Sequence, residues 1–302
     1  MKKCAILSMD SLAGFETSDS LLDQPMLALG WQTERVSWRK EQVNWSDYDV
    51  VLIRSPWDYQ DDMAAFIKVL AKIEQSSARL ENSLAVVNWN INKSYLKQLA
   101  SQQVTIVPTL WPDKFDASDI PEYFQHFNSE QIVLKPRVSA NADNTFWLKK
   151  ANYTSNIAAL QQAFAQRDLM VQPFMPAICQ EGEFSLFYFN GQYSHAILKT
   201  PAPGDFRVQE EHGGVLLAIT PEPELTRVAD QTMQAIHQLH GDLLYARIDF
   251  VRFNTSFALM EAELIEPSLY FNMDEKSPQR FVDAFAQRLQ TQAKNAVVLG
   301  SC

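Results

Sequence analysis

The chain has 302 residues, of which 46% are hydrophobic and 21% are charged, and its formal net charge is −10. This length suits about two domains with a sizeable buried core, and the acidic balance disfavours a nucleic-acid partner. The cysteines Cys4, Cys179 and Cys302 are far apart and lack metal-ligand spacing, which predicts reduced thiols in a cytoplasmic protein. The first apolar stretch ends at Asp10, too early for a signal peptide, and no apolar run reaches the roughly 18 residues of a membrane helix.

The first 90 residues alternate between strand patterns and helix patterns. In chain order, they predict a strand at 3–9, a helix at 21–29, strands at 33–38 and 48–54, a helix at 63–75 and a strand at 85–88. The run 48–54 is almost continuously apolar, as is typical of a parallel strand covered on both faces. The sequence therefore predicts a small doubly wound α/β domain over residues 1–90, in which ligands bind beyond the carboxyl ends of the strands.

An unusual group of side chains follows the strand at 48–54. It consists of Arg54, Ser55, Trp57, Asp58 and Tyr59. One explanation is a capped turn into the next helix, but arginine and two aromatic residues are an uncommon way to build a plain turn. Because the group stands at the carboxyl end of a predicted parallel strand, we expect it to bind substrate. Its chemistry favours a small polar acid that carries an amino group.

Two lysines further along the chain have unusual settings. Lys135 lies inside the apolar strand predicted at 132–136, where a charge is costly unless it is paired, so it favours an anionic ligand over snorkelling at a strand end. Lys93 is predicted in the first turn of a helix at 92–101, where its charge opposes the helix dipole. A lysine in this position is, by itself, more often a surface charge without a functional role.

The chain after residue 90 has an α+β pattern. Its other predicted elements are a helix at 153–165, a strand at 169–174, a hairpin of 184–189 and 193–199, a polar loop at 201–214, and helices at 225–239 and 279–293. Single histidines such as His195 are predicted to be structural. Neither GxGxxG nor GxxxxGK[ST] is present, so the sequence supports neither a dinucleotide fold nor a P-loop.

The most informative part of the chain is the stretch 259–271, LMEAELIEPSLYF, which begins with strand character, together with the strand-like run 247–253 just upstream. Residues 254–256, between the two strands, suit a short hairpin loop. We therefore predict an antiparallel pair in which Phe253 faces Phe257.

This register places acidic side chains opposite one another. Asp249 falls opposite Glu261, and Arg247 falls opposite Glu263. Like charges that face each other destabilise a hairpin, so a cation between them would explain the pattern. Oxygen ligands suit Mg²⁺ or Mn²⁺. From the pattern alone, a solvated hairpin face is an equal alternative.

These features, in this order, resemble the ATP-grasp ligases, particularly their glutathione-synthetase-like branch and, within it, the cyclo-ligases of cycloserine biosynthesis. The motifs that carry the resemblance span nearly the whole chain: RSPWDY at 54–59, NKSYL at 92–96, VLKPRVSA at 133–140, VQPF at 171–174, YSHAILK at 193–199, YARIDFVR at 245–252 and EAELIEPSLYF at 261–271.

The resemblance implies an ATP-grasp fold, α/β plus α+β, behind an N-terminal doubly wound domain. It divides the chain into a substrate-side domain at 1–90, a small subdomain with the lid and lysines at 91–170, and a large subdomain with the metal site at 171–302. It implies an ADP-forming ligase that activates a small amino-acid-like carboxylate as an acyl-phosphate for attack by an amine. Closure within one molecule, joining of two molecules as in dipeptide or glutathione formation, and a non-catalytic nucleotide sensor all stay open. Relatives of this type commonly self-associate, so the resemblance allows a homo-oligomer.

The resemblance also implies roles for individual residues. ATP would contact Lys93, Lys135, Ser139, Gln172, Pro173, Phe174 and Glu183, with Glu181 as an alternative to Glu183 on the ribose. Two Mg²⁺ ions, or Mn²⁺, would be held by Asp249, Glu261 and Glu263. Arg207 and Arg247 would stabilise the transferring phosphoryl group. The substrate would contact Arg54, Ser55, Trp57, Asp58, Tyr59, Lys199 and Ser268.

Two positions depart from the family pattern. Glu263 stands where an asparagine is usual, and Arg247 opposite it would balance the added charge. The phosphate-covering loop at 139–144 lacks the usual glycines.

Overall fold

The computed structural model describes residues 1–139 and 142–299, with side chains up to residue 291. Cys302 and two residues of the predicted covering loop, 140 and 141, lie outside the described residues. The described strands form three sheets. None of the described helices combines the length and apolar character needed to cross a membrane.

The N-terminal sheet is parallel and has helices on both faces. Its order is β2-β1-β3-β4, formed by β1 (Lys2–Ser8), β2 (Trp31–Ser37), β3 (Val50–Ser55) and β4 (Arg79–Glu81). Alternate residues of β1 pack in opposite directions, against α1 (Asp23–Ala28) on one face and α2 (Met63–Gln75) on the other. The predicted doubly wound domain is confirmed.

Two local predictions in this part of the chain are wrong. The strand predicted at 85–88 is helix α3 (Leu84–Asn90), because a short apolar run cannot by itself distinguish a buried strand from a buried helix. Lys93 is not in the first turn of a helix, since α4 (Tyr95–Ser101) begins two residues after it.

The second sheet is small and antiparallel, in the order β6-β5-β7. Its strands and the helices that cover it are α5 (Ile120–His126), β5 (Gln131–Pro136), β6 (Phe146–Lys149), α6 (Ile157–Ala163) and β7 (Leu169–Pro173). This sheet carries Lys135 on β5.

The third sheet is antiparallel, in the order β10-β9-β8-β11-β12. Its elements are α7 (Ala177–Gln180), β8 (Glu183–Phe189), β9 (Gln192–Thr200), β10 (Val215–Ile219), α8 (Pro223–His240), β11 (Tyr245–Phe253), β12 (Ser256–Glu263) and α9 (Ser277–Leu299). Asn190 and Gly191 both have positive φ, 47° and 76°, as the predicted hairpin turn requires.

The acidic hairpin has the predicted pairs but not the predicted turn. Phe253 pairs with Ser256 rather than with Phe257. By itself, this difference would shift all the pairs farther from the turn by one residue. The register shifts again where Phe250 pairs with Leu259, so Met260 is an extra residue and forms a β-bulge. The bulge restores the predicted facing of the charged side chains.

Tyr245 joins the N-terminal sheet to the third sheet. Its hydroxyl oxygen lies 2.8 Å from the carbonyl oxygen of Ile53 and 2.9 Å from that of Ile265. Asn82 adds side-chain bonds to the backbone of Leu244, at 2.9 Å, and of Leu264, at 2.8 Å. The carboxyl end of β3 is therefore held against the chain that follows β12. The domain limits at residues 90 and 170 stay predictions.

Candidate active site

A cavity of about 200 Å³ lies among the three sheets. It gathers side chains that are far apart in the sequence but were predicted to act together. The predicted site residues that line it are Trp57, Tyr59, Lys93, Lys135, Ser139, Gln172, Pro173, Phe174, Glu183, Lys199, Arg207, Arg247, Asp249, Glu261, Glu263 and Ser268.

Three residues predicted to bind substrate do not line this cavity. Arg54 is 1% exposed, and its guanidinium bonds to Asp19 and to the backbone. The Ser55 hydroxyl donates to that of Ser8 at 3.1 Å. Asp58 accepts from the side chains of Trp38 and Arg39, which follow β2, at 2.6 and 2.8 Å. These three side chains are bound to protein partners outside the cavity, and their roles in substrate binding stay predictions.

Lys199 lies between two carboxylates at the back of the cavity. Its Nζ is 2.5 Å from Glu183 Oε1 and 3.7 Å from Asp249 Oδ1. Burial alone would lower the pKa of Lys199, but Asp249 and Glu183 outweigh it, so that pKa is raised. Ser185 also donates to Asp249 at 2.5 Å. These contacts keep Lys199 protonated and fix the position of Asp249.

Two lysines line the cavity, Lys135 from β5 of the second sheet and Lys93 from the segment between α3 and α4. Lys93 Nζ lies 2.8 Å from Glu261 Oε1 and donates to the carbonyl oxygen of Ser139 at 2.7 Å. Lys135 has no carboxylate within ion-pair distance among the described residues, and burial and then Lys93 lower its pKa. Lys135 is therefore the cation here that an anionic ligand would stabilise most.

Arg247 holds two of the predicted metal ligands. Its Nε and Nη2 donate to the two oxygens of Asp249 at 3.1 and 3.0 Å, and Nη2 also contacts Glu263. The predicted partnership of Arg247 with Glu263 is confirmed. Burial raises the pKa of Glu263 to about 8, aided by Asp249 and Glu261 and opposed by Arg247.

The donor chemistry at this place suits a hard divalent cation. Asp249, Glu261 and Glu263 offer only oxygen, which is what Mg²⁺ prefers. Within residues 1–139 and 142–299, however, no three acidic, histidine or cysteine side chains are grouped closely enough to hold an ion as they stand. Each carboxylate is instead paired with a lysine or an arginine, and an ion would have to compete with Lys93 and Arg247.

Phe174 and Phe206 line the cavity, and the ring of Trp147 packs against both of them. Phe174 stacks on Trp147 with ring centroids 4.3 Å apart, and Phe206 from the 201–214 loop meets the edge of Trp147 at 5.5 Å. Gln172 donates to Thr109 at 2.9 Å. Sequence reasoning missed Trp147 and Phe206, because their contacts depend on packing between separate segments.

Only one of the two glutamates considered for the ribose lines the cavity. Glu181 is bound to Arg252 through both oxygens, at 2.6 and 2.7 Å, and faces away. Glu183 lines the cavity beside Lys199. Arg207 also lines it, although its guanidinium is paired with Asp205 at 2.7 Å.

Glu266 is a cavity residue that was not among the predicted site residues. It lies three residues after the end of β12, and its carboxylate accepts from the hydroxyl of Tyr59. A single glutamate in an irregular segment carries no periodicity, so only its nearness to Glu263 in the sequence could have indicated it.

Two family models match the chain. One, described as "D-cycloserine synthetase DcsG, N-terminal domain", matches residues 4–82. The other, described as "Prokaryotic glutathione synthetase, ATP-grasp domain", matches residues 101–258. The chain is also 26% identical over 283 residues to the cycloserine biosynthesis protein DcsG of Streptomyces lavendulae, covering 87% of this chain and 90% of that protein.

Solved structures of ligases match the fold over nearly the whole chain. A crystal structure of D-cycloserine synthetase DcsG matches with a TM-score of 0.84 at 24% identity, covering 95% of this chain and 99% of that one. The D-alanine–D-alanine ligase from Bacillus anthracis matches with a TM-score of 0.69 at 11% identity, covering 98% and 100%. Similarity at these identities concerns the fold.

Proposed function

Because this chain belongs to the ATP-grasp family of the prokaryotic glutathione synthetases, we propose that it is an ATP-dependent ligase that joins a carboxylate to an amine and releases ADP. The family membership confirms the resemblance and the fold class predicted from the sequence. The observation that carries the proposal is the gathering of Lys93, Lys135 and Arg247 with three carboxylates around one cavity.

The chemical problem explains this mixture of charges. A carboxylate does not react with an amine in neutral water. Transfer of the γ-phosphoryl group of ATP to the carboxylate gives an acyl-phosphate, whose phosphate is a good leaving group. Catalysis then consists mainly of positioning and charge stabilisation.

The cations have distinct tasks in this scheme. Lys93 and Lys135 bind the phosphates, with Ser139 holding Lys93 through its carbonyl oxygen. Arg247, and Arg207 from the 201–214 loop, stabilise the charge that develops during phosphoryl transfer. Asp249, Glu261 and Glu263 would hold Mg²⁺, which when bound supplies further neutralisation of phosphate charge.

The other cavity residues bind the nucleoside and the acceptor. Gln172, Pro173 and Phe174 border the base, Glu183 accepts from the ribose, and Lys199 keeps Glu183 in place. Trp57, Tyr59, Lys199 and Ser268 border the acceptor carboxylate.

The substrate is a small amino-acid-like molecule. Since cycloserine is a ring, the name of the relative DcsG supports closure within one molecule, and joining of two molecules is the alternative. Both versions use the same acyl-phosphate and differ only in where the nitrogen comes from.

The direct test is ADP release with a panel of amino acids, in the presence of Mg²⁺ and hydroxylamine to trap the acyl-phosphate as a hydroxamate. We expect at least one carboxylate to elicit both ADP and hydroxamate. Mass analysis without hydroxylamine then separates loss of water within one substrate from a joined pair. ATP binding without ADP release from any carboxylate would contradict the ligase and favour a nucleotide sensor.

A further inference from the structure

Glu266 differs from the other acidic residues around the cavity. Glu183, Asp249, Glu261 and Glu263 each contact a lysine or arginine at ion-pair distance. Outside the 201–214 loop, Glu266 is the one described cavity carboxylate without such a partner, and a neutral group, the hydroxyl of Tyr59, donates to it instead. A carboxylate in this setting is free to gain and lose a proton.

The backbone around Glu266 is held by the unusual side chains at the end of β3. Trp57 Nε1 donates to the carbonyl oxygen of Glu266 at 3.0 Å, and Arg54 Nη2 donates to that of Pro267 at 2.7 Å. Arg54 is in turn fixed by Asp19 at 3.1 Å. Together with the Tyr59 hydroxyl, these bonds place one carboxylate rigidly, as a reacting group requires.

The surroundings of Glu266 suit proton transfer at neutral pH. The charged and titratable groups that act on it are Tyr59, Lys93, Glu261 and Arg247. Burial raises the pKa of Glu266 to about 7, and the bond from Tyr59 opposes that rise. A general base works best when its pKa lies near the operating pH.

We propose that Glu266 is the general base of the ligation and accepts the proton that the attacking nitrogen must lose. The inference rests on the proposed ligase function. The nitrogen lone pair forms the bond to the acyl carbon, the bond from that carbon to the phosphate oxygen breaks, and phosphate leaves with the electron pair. The nitrogen proton moves to the Glu266 carboxylate and then to water. Arg54 and Trp57 are positioning residues, because they act through the Glu266 backbone.

The first test compares two nucleophiles in the wild type and in Glu266→Gln, with the carboxylate found by the ADP assay. We expect amide formation with an amine to fall by about 10²–10⁴-fold, the range ascribed to a general base. Hydroxamate formation should fall far less, since hydroxylamine is largely unprotonated at neutral pH. Glu266→Asp should recover part of the amide rate. Equal losses with both nucleophiles, or no loss, would overturn the proposal.

The second test needs no substrate, so its outcome is separate from that of the ligase proposal. Glutamate labelled with ¹³C at the side-chain carboxyl is titrated by NMR, and the Glu266 signal is assigned by its absence in Glu266→Gln. We expect a midpoint near 7 and an upward shift of that midpoint in Tyr59→Phe, which loses the bond to the charged form. A midpoint in the ordinary glutamate range, or one that Tyr59→Phe leaves unchanged, would overturn the proposal.

Discussion

The segment 54–59 and the hairpin formed by β11 and β12 both carry dense groups of charged and aromatic side chains, but they use them differently. In the hairpin, Arg247, Asp249 and Glu261 all face the cavity. In the segment, Trp57 lines the cavity whereas Arg54 is buried away from it. Strand alternation fixes the direction of every second side chain in the hairpin, whereas β3 ends at Ser55 and the residues after it follow no such alternation. Charge density alone therefore does not identify a binding surface.

The two regions should respond differently to substitution. The charges of the hairpin face a cavity where a ligand can compensate them, so their loss should reduce turnover. The charge of Arg54 is compensated only inside the protein, so its loss should reduce stability.

Arg54→Met is expected to have the largest effect on stability. It leaves Asp19 buried without a partner, which costs about 3–5 kcal/mol of the free energy of unfolding. Urea denaturation measures this free energy. The matched control is Arg35→Met, which breaks an exposed ion pair with Asp23 and should lower the free energy of unfolding by no more than about 1 kcal/mol. If Arg54→Met unfolded like the wild type and only raised the KM for the carboxylate, the substrate role predicted from the sequence would be supported instead.

Glu261→Gln should have the largest effect on turnover. It removes one charge from the proposed metal site without changing the shape of the side chain, and we expect kcat to fall on the order of 10²–10³-fold. ATP binding, measured by calorimetry, should change much less. The exposed Glu130→Gln, whose partner is Lys150, is the matched control. Full activity of Glu261→Gln would contradict the assignment.

The sequence predicted the hairpin better than the segment for physical reasons. The pairs of Asp249 with Glu261 and of Arg247 with Glu263 were predicted from alternation, although the predicted turn was wrong, and the bulge at Met260 compensated for that error. A bulge adds one residue to one strand of a pair, and no sequence pattern marks where it occurs.

The remaining site depends on contacts between distant segments. The sequence order of Lys93 and Lys135 indicated a nucleotide site only through the family resemblance, and their positions around one cavity depend on how the sheets pack. The bonds from Arg54 and Trp57 to the chain after β12 span more than 200 residues, at separations of 213 and 209. Local patterns carry no information on such contacts.

His195, which the sequence predicts to be structural, lies in the same sheet as the hairpin. It stacks on Phe187 with ring centroids 4.2 Å apart, accepts from Ser194 at 2.9 Å and donates to the carbonyl oxygen of Leu269 at 3.0 Å. Burial lowers its pKa to about 4. Between that value and the unfolded value of about 6.5, the unfolded chain binds more protons, so stability falls as the pH falls.

This shift in the pKa of His195 should lower the free energy of unfolding by about 3 kcal/mol when the pH falls from about 7 to about 4. Urea denaturation across this range should show that loss in the wild type, and His195→Gln should lose correspondingly less stability as the pH falls. The same pH dependence in both proteins would contradict a buried neutral His195. The activity of His195→Gln at neutral pH should be retained, since His195 does not itself line the cavity.

The smallest effect is expected for Asp58→Asn, which directly tests the difference between the segment 54–59 and the hairpin of β11 and β12. Asp58 was predicted to bind substrate, but it pairs with Arg39 at a half-exposed site and accepts from Trp38 at 2.6 Å. An asparagine keeps the acceptor oxygen, so the loss of stability should stay below about 1 kcal/mol and the KM for the carboxylate should not change. The same change at Asp249, which Arg247 and Lys199 surround in the cavity, should abolish most of the turnover. If instead Asp58→Asn raised KM about tenfold, a loss of roughly 1.4 kcal/mol in binding, Asp58 itself would bind substrate directly and the distinction drawn between its charge and those of the hairpin would fail.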